Sequence, residues 1–235
     1  MRTWLVLSLA SLLLAACGET PLAGLGATGP NEPLSEVTVT SDRIVLRGPD
    51  GFCIDPQSSD HRPSKAFMVF ANCAAIAGDE ELPQPFVSAV VTATVLPAGR
   101  KQLTIAQSPV ALAEFFNSDA GKAVLSASGD AAKVTILDSY SRNDAFVIHA
   151  QDTSTPLVEG TSNTYWRGYY NVKNSIVALT VFSTDASPIS SSDGLQTLYD
   201  FGAALMKGQA PSAAPPTAKS ADDVTNTGLL RRLFG

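Results

Sequence analysis

The chain is 235 residues long, 45% hydrophobic and only 16% charged, with a formal charge of −6. That length accommodates one domain with a full core, or two small ones. Its acidic balance and the absence of clustered Lys and Arg exclude a nucleic-acid reader, whose phosphate contacts need a basic stripe.

Residues 1–16 read as an export signal. Arg2 and the amino terminus supply positive charge, Trp4 to Leu14 is apolar apart from Ser8 and Ser11, and Ala15 and Ala16 are small residues before a cleavage point. The apolar run is about a dozen residues, short of the roughly 20 that a membrane-spanning helix needs. Leu14-Ala15-Ala16-Cys17 resembles the lipobox of bacterial lipoproteins. The resemblance implies that the Cys17 thiol takes a diacylglycerol, that the signal is cut before it, and that the new amino terminus carries a palmitate-like acyl chain. Two or three chains anchor stably where one would be marginal. Gly18 stands where an Asp would retain such a protein at the inner membrane. The resemblance therefore implies the periplasmic face of the outer membrane if the source is Gram-negative. Loss of residues 1–16 removes Arg2 and makes the remaining chain one unit more acidic, which holds it off anionic headgroups.

Of three cysteines, lipidation of Cys17 leaves Cys53 and Cys73, about 20 residues apart in an oxidising compartment. They are expected to form a disulfide worth roughly 3 kcal/mol on loop entropy. A redox or metal pair needs closer spacing or His neighbours at ligand distance, and His61 between them does not complete a zinc set.

Residues 18–35 are Gly- and Pro-rich and read as a flexible tether, with a single domain expected over 36–207. EVTVT and RIVLRG have strand character, with Ser41-Asp42 as the turn between them; FCID after Pro49-Asp50-Gly51 is a short strand. Residues 55–65 are expected to be a loop. AFMVFANCAAI is a buried strand or a helix, which periodicity alone does not decide. GDEELPQP is a surface loop, in which Asp79, Glu80 and Glu81 are solvated or, alternatively, form a calcium site. FVSAVVTATVL is a strand closed by Pro97.

Ser108-Pro109 opens a helix, with Leu112, Phe115 and Phe116 on its apolar stripe and a further turn or two from Asp119 to Ser126. The period then changes to two. AKVTILD, DAFVIHAQD, TYWRGYYNV and NSIVALTVFS are four strands on short links, which predicts an antiparallel meander. A last helix is expected from Asp193-Gly194 to about Lys207, with Leu195, Leu198, Tyr199, Leu205 and Met206 as its apolar face. The whole is an α+β domain: an antiparallel sheet covered by helices near 109–126 and 193–207. Its element order loosely resembles the PsbP/Mog1 type of fold.

Residues 208–227 read as a disordered linker. The final octet, 228–235, places Leu229, Leu230, Leu233 and Phe234 on one arc and Arg231 and Arg232 opposite. Too short to be helical alone, it suits docking on an envelope protein, on a lipid headgroup layer or on its own body; the plain alternative is a frayed end.

Catalytic signatures are missing. There is no G-x-S-x-G elbow, SxxK, Walker A, HExxH, EF-hand or Rossmann pattern, so neither a cofactor nor a metal is expected. His149, read as lying on the polar side of its strand, has Asp138, Asp144 or Asp152 as orienting partners for a general base, or is a plain solvated histidine. The aromatic stretch is more pointed. Alternation sets Tyr165, Arg167 and Tyr169 on one face and Trp166 and Tyr170 on the other. One face packs inward; the other offers a flat aromatic and cationic surface to a glycan or protein, or packs beneath a helix lid. The leading expectation is a non-enzymatic, membrane-anchored envelope lipoprotein that binds or assists assembly. A periplasmic ligand-binding domain with a pocket between sheet and helices comes second, and an envelope hydrolase using His149 third.

Overall fold

A computed structural model describes residues 32–97, 105, 109–142 and 145–209. Two strands, β1 (Glu36–Val39) and β2 (Ile44–Arg47), make an antiparallel ribbon. Eight more follow: β3 (Phe52–Ile54), β4 (Asp60–Arg62), β5 (Lys65–Asn72), β6 (Ala89–Pro97), β7 (Val134–Arg142), β8 (Ala145–Asp152), β9 (Thr161–Val172) and β10 (Ser175–Thr184). They form one antiparallel sheet in the order β3-β5-β6-β10-β9-β8-β7, with β4 also beside β5. The helices are α1 (Cys73–Ala77), α2 (Pro109–Asn117), α3 (Asp119–Leu125) and α4 (Ser191–Gly208). The α+β class and the meander of β7 to β10 are as the sequence predicts.

Several elements differ in detail. AFMVFANCAAI is both things in turn. The strand β5 ends at Asn72, whose side chain accepts from the Ala74 amide and caps α1. The expected loop at 55–65 contains the three-residue strand β4. The mid-chain helix is two helices, broken where Ser118 turns extended and caps α3 through the Gly121 amide. Helix α4 starts before Asp193 because Ser190 accepts from the Asp193 amide. Its buried side includes Thr197 and Phe201, whereas Met206 is exposed. Phe201 matters because it packs edge-on against Phe52 and Phe70, at 5.0 and 5.2 Å between ring centroids.

The sheet is covered on both faces. On one, α4 and the β1–β2 ribbon bury Met68, Ala93 and Leu179 in a row, with Trp166 beside it. On the other, α2 and α3 set Phe116 and Leu125 over Phe146, Ile148 and Tyr165. Double coverage explains β8, which is buried at nearly every position rather than at alternate ones. The side read as polar also carries the buried Ala145 and Val147, so His149 is half-buried rather than solvated. The second face also carries a cavity, beside α3 and over β6, β10 and β9.

Candidate ligand-binding cavity

The cavity follows from strand phase. On the face away from α4, β6 presents Thr92, Thr94 and Leu96, β10 presents Ala178, Thr180 and Phe182, and β9 presents Tyr165, Arg167 and Tyr169. Small and hydroxylated side chains lie across the centre of this surface, where Thr94 pairs with Ala178 and Thr92 with Thr180. They do not fill the space above them. The result is a cavity of about 230 Å³. Its walls are the end of α3, from Val124 to Ala127, and the segment after β8 that includes Pro156 and Leu157. Leu96, Val124 and Leu157 at its edge are 44%, 58% and 73% exposed, so the mouth has an apolar rim.

Those walls are held by a buried carboxylate. Asp152 ends β8 and accepts from the amides of Ala127, at 2.6 Å, and Ser154, at 2.9 Å. The Ser154 hydroxyl is shared with Ser126 and Ser128. Burial alone would raise the Asp152 pKa, but these hydrogen bonds outweigh it and hold the carboxyl below its ordinary range. The Tyr165 hydroxyl adds a second tie by donating to the Leu125 carbonyl at 2.8 Å. Burial pushes the Tyr165 pKa up to about 12, which keeps the donor protonated.

Among the described residues Arg167 is the cation of the site. Its Nε donates to Thr180 Oγ1 at 2.8 Å, its guanidinium lies 4.9 Å from the Tyr165 ring centroid, and Tyr169 stands near enough to favour its charge. Burial works to lower its pKa, yet Tyr169, Tyr165 and Asp152 together raise it, so it stays charged. Among the described residues the ion pairs are Arg47–Glu36 and Arg62–Asp60, both on the exposed surface. Arg167 therefore brings a positive charge to an otherwise mostly apolar cavity without a carboxylate in direct contact.

The structure brings Tyr165, Arg167 and Tyr169 together, as alternation predicts, but not as a flat open surface. Tyr165 is buried, and Tyr169 stacks on Phe116 of α2 with centroids 5.0 Å apart. Trp166 and Tyr170 pack under α4, where Trp166 Nε1 donates to the Ser191 carbonyl. His149 stacks on Trp166 at 4.1 Å, on the face opposite the cavity, and burial lowers its pKa against the pull of Asp138. It is therefore held apart from the cavity's polar groups; Asp144 lies outside the described residues. Cys53 and Cys73 form a disulfide. Cys17 and the segment carrying Leu229, Leu230, Arg231, Arg232, Leu233 and Phe234 lie outside the described residues. His61 is exposed on β4, and Asp79, Glu80 and Glu81 are exposed, with Asp79 accepting from the Glu81 amide.

Sequence reasoning missed Thr92, Thr94, Ala178, Leu157 and the clamping role of Asp152. One signal was available: in β6 the buried phase reads Ala89, Val91, Ala93, Val95, while the other carries Thr92 and Thr94. Threonines facing inward in such a strand mark a surface that is covered but not tightly filled. No family model matches the chain, and no curated protein or solved structure does either. Among the described residues no helix is long and apolar enough to cross a membrane, and no three His, Cys, Asp or Glu cluster as metal ligands would.

Proposed function

We propose that this chain is a lipid-anchored envelope lipoprotein whose folded domain binds a small organic ligand without transforming it. The observation that carries the binding half is the cavity over β6, β10 and β9, with apolar walls and, among the described residues, a single cation in its lining. Concave, mostly apolar sites with a few placed polar groups are what small-molecule binders use. The geometry favours ligand binding over assembly assistance because the site is recessed rather than a broad face. It favours binding over hydrolysis because His149 lies on the other side of the sheet, stacked on Trp166. The anchoring half rests on Leu14-Ala15-Ala16-Cys17.

Native mass spectrometry of the full chain, extracted from its own membranes, tests both halves. The protein is expected to begin at Cys17, to carry acyl mass there, and to release a small molecule on activation. Replacing Ala178 by Phe, which fills the cavity floor, is expected to abolish that release while leaving the acyl mass. A Cys17→Ser chain is expected to stay uncut. An unacylated native product would remove the anchor, and a ligand retained by the Ala178→Phe chain would remove the cavity as its site.

A further inference from the structure

We infer that the cavity takes an organic monocarboxylate with an apolar body, its carboxylate on the Arg167 guanidinium and its body against Phe67, Leu96, Ala178 and Phe182. This rests on the cavity being the ligand site. A guanidinium has five N–H donors in a planar fork. Among the described residues Thr180 accepts from its Nε, and the Tyr165 ring occupies one face. The remaining donors suit the two oxygens of a carboxylate, which a fork engages side by side. A neutral amide could accept from one of those donors through its carbonyl, but it offers neither a second oxygen for the fork nor a charge to match the guanidinium.

Charge decides between anions. Among the described residues one cation, Arg167, lines the cavity, and Asp152 contributes a fixed negative charge to the same lining. Because Asp152 already offsets Arg167 in the lining, a phosphate dianion would leave the cavity two charges negative, whereas a monocarboxylate leaves it one. Asp152 is not in direct contact with the cation: its two oxygens accept from Ala127 and Ser154, and among the described residues no ion pair joins it to Arg167. Size sets the body. At about 230 Å³ the cavity is smaller than the roughly 300–1,000 Å³ of sites that enclose a whole drug-sized ligand. It suits a short acyl or aryl-alkyl body, and the exposed Leu96, Val124 and Leu157 extend the apolar path outward for a longer chain.

The test is calorimetric titration of the full mature chain in lipid nanodiscs, with empty discs subtracted. The probes are 4-phenylbutanoate and octanoate, beside the neutral 4-phenylbutanamide and octanamide. Both carboxylates are expected to bind, each at least tenfold tighter than its amide. An Arg167→Gln chain should lose that preference. An Arg167→Lys chain, which keeps charge but not the fork, should fall between, and this intermediate guards against simple misfolding. Equal binding of acid and amide, or an unchanged preference in Arg167→Gln, overturns the carboxylate assignment while leaving the cavity reading intact, provided Ala178→Phe abolishes both. Binding that survives Ala178→Phe overturns the cavity reading itself. Failure of either carboxylate to bind any better than its amide overturns this inference.

Discussion

Asp152 is the residue on which the cavity wall depends, and its ionisation makes that testable. The folded-state pKa lies below the ordinary carboxyl value because the Ala127 and Ser154 amides and the neighbouring hydroxyls favour the charged form over the cost of burial. A group depressed in this way contributes stability that is full above its unfolded pKa, and that stability drains away as pH falls through the folded value. Replacing Asp152 by Asn should cost about 2 kcal/mol at neutral pH, the range for hydrogen bonds to a charged group. Urea unfolding at a series of pH values checks it: the gap between native chain and variant should narrow below about pH 4. A gap as wide at pH 3 as at pH 7 would show that the clamp does not work through the carboxylate. Arg167 and Asp152 were both visible in the sequence as charges on strands. That one is a cavity cation and the other a clamp was not, because those roles depend on partners 13 and 25 residues away.

At the scale of elements, the join between α2 and α3 positions the cavity wall. Ser118 breaks the helix and restarts it, and Gly121 lets the two helices meet. A Cβ at Gly121 would lie 2.0 Å from the Phe115 carbonyl oxygen and 2.4 Å from the Phe116 Cα, both backbone atoms that cannot swing aside. Gly121→Ala should therefore destabilise by about 1–3 kcal/mol as overpacking does, even though Ala gains nearly 1 kcal/mol over Gly in a helix interior. Chemical denaturation measures the sign. A stabilised variant would mean that the junction yields freely and that α3 is not fixed against α2. Helices and strands with strong local signals were legible: Ser-Pro before α2, period two through β7 to β10. The limits of α4 were less so. Ser190, not Asp193, caps it, and Phe201 is its central buried ring because Phe52 of β3 and Phe70 of β5 meet it there.

For the molecule as a whole, the sheet order joins the two halves of the chain. Strand β6 pairs with β10 from Ala89–Ser183 to Pro97–Ser175, so the first part of the chain and the closing strand of the meander share one ladder. The disulfide acts at the far edge, tying Cys53 of β3 to Cys73 at the start of α1. It closes a loop of 20 residues; removing both cysteines as Cys53→Ala/Cys73→Ala should lower stability by about 3 kcal/mol on the loop-entropy estimate. Equilibrium unfolding of the oxidised chain against the double variant measures this, and a loss below about 1 kcal/mol would mean that strand pairing alone already restrains that edge in the unfolded ensemble.

The sequence by itself determined what local chemistry dictates: an antiparallel α+β domain, the cysteines left to pair once Cys17 is set aside, and the shared phase of Tyr165, Arg167 and Tyr169. Those follow from side-chain period and composition, which need no knowledge of neighbours. Only the tertiary structure decided that β6 lies beside β10, that both faces of the sheet are covered, and that the tyrosines and arginine enclose a cavity instead of presenting a surface. These depend on which distant strand supplies Thr180 to Arg167 and which helix end meets Asp152. Alternation tells which residues share a face, but not what is packed on it.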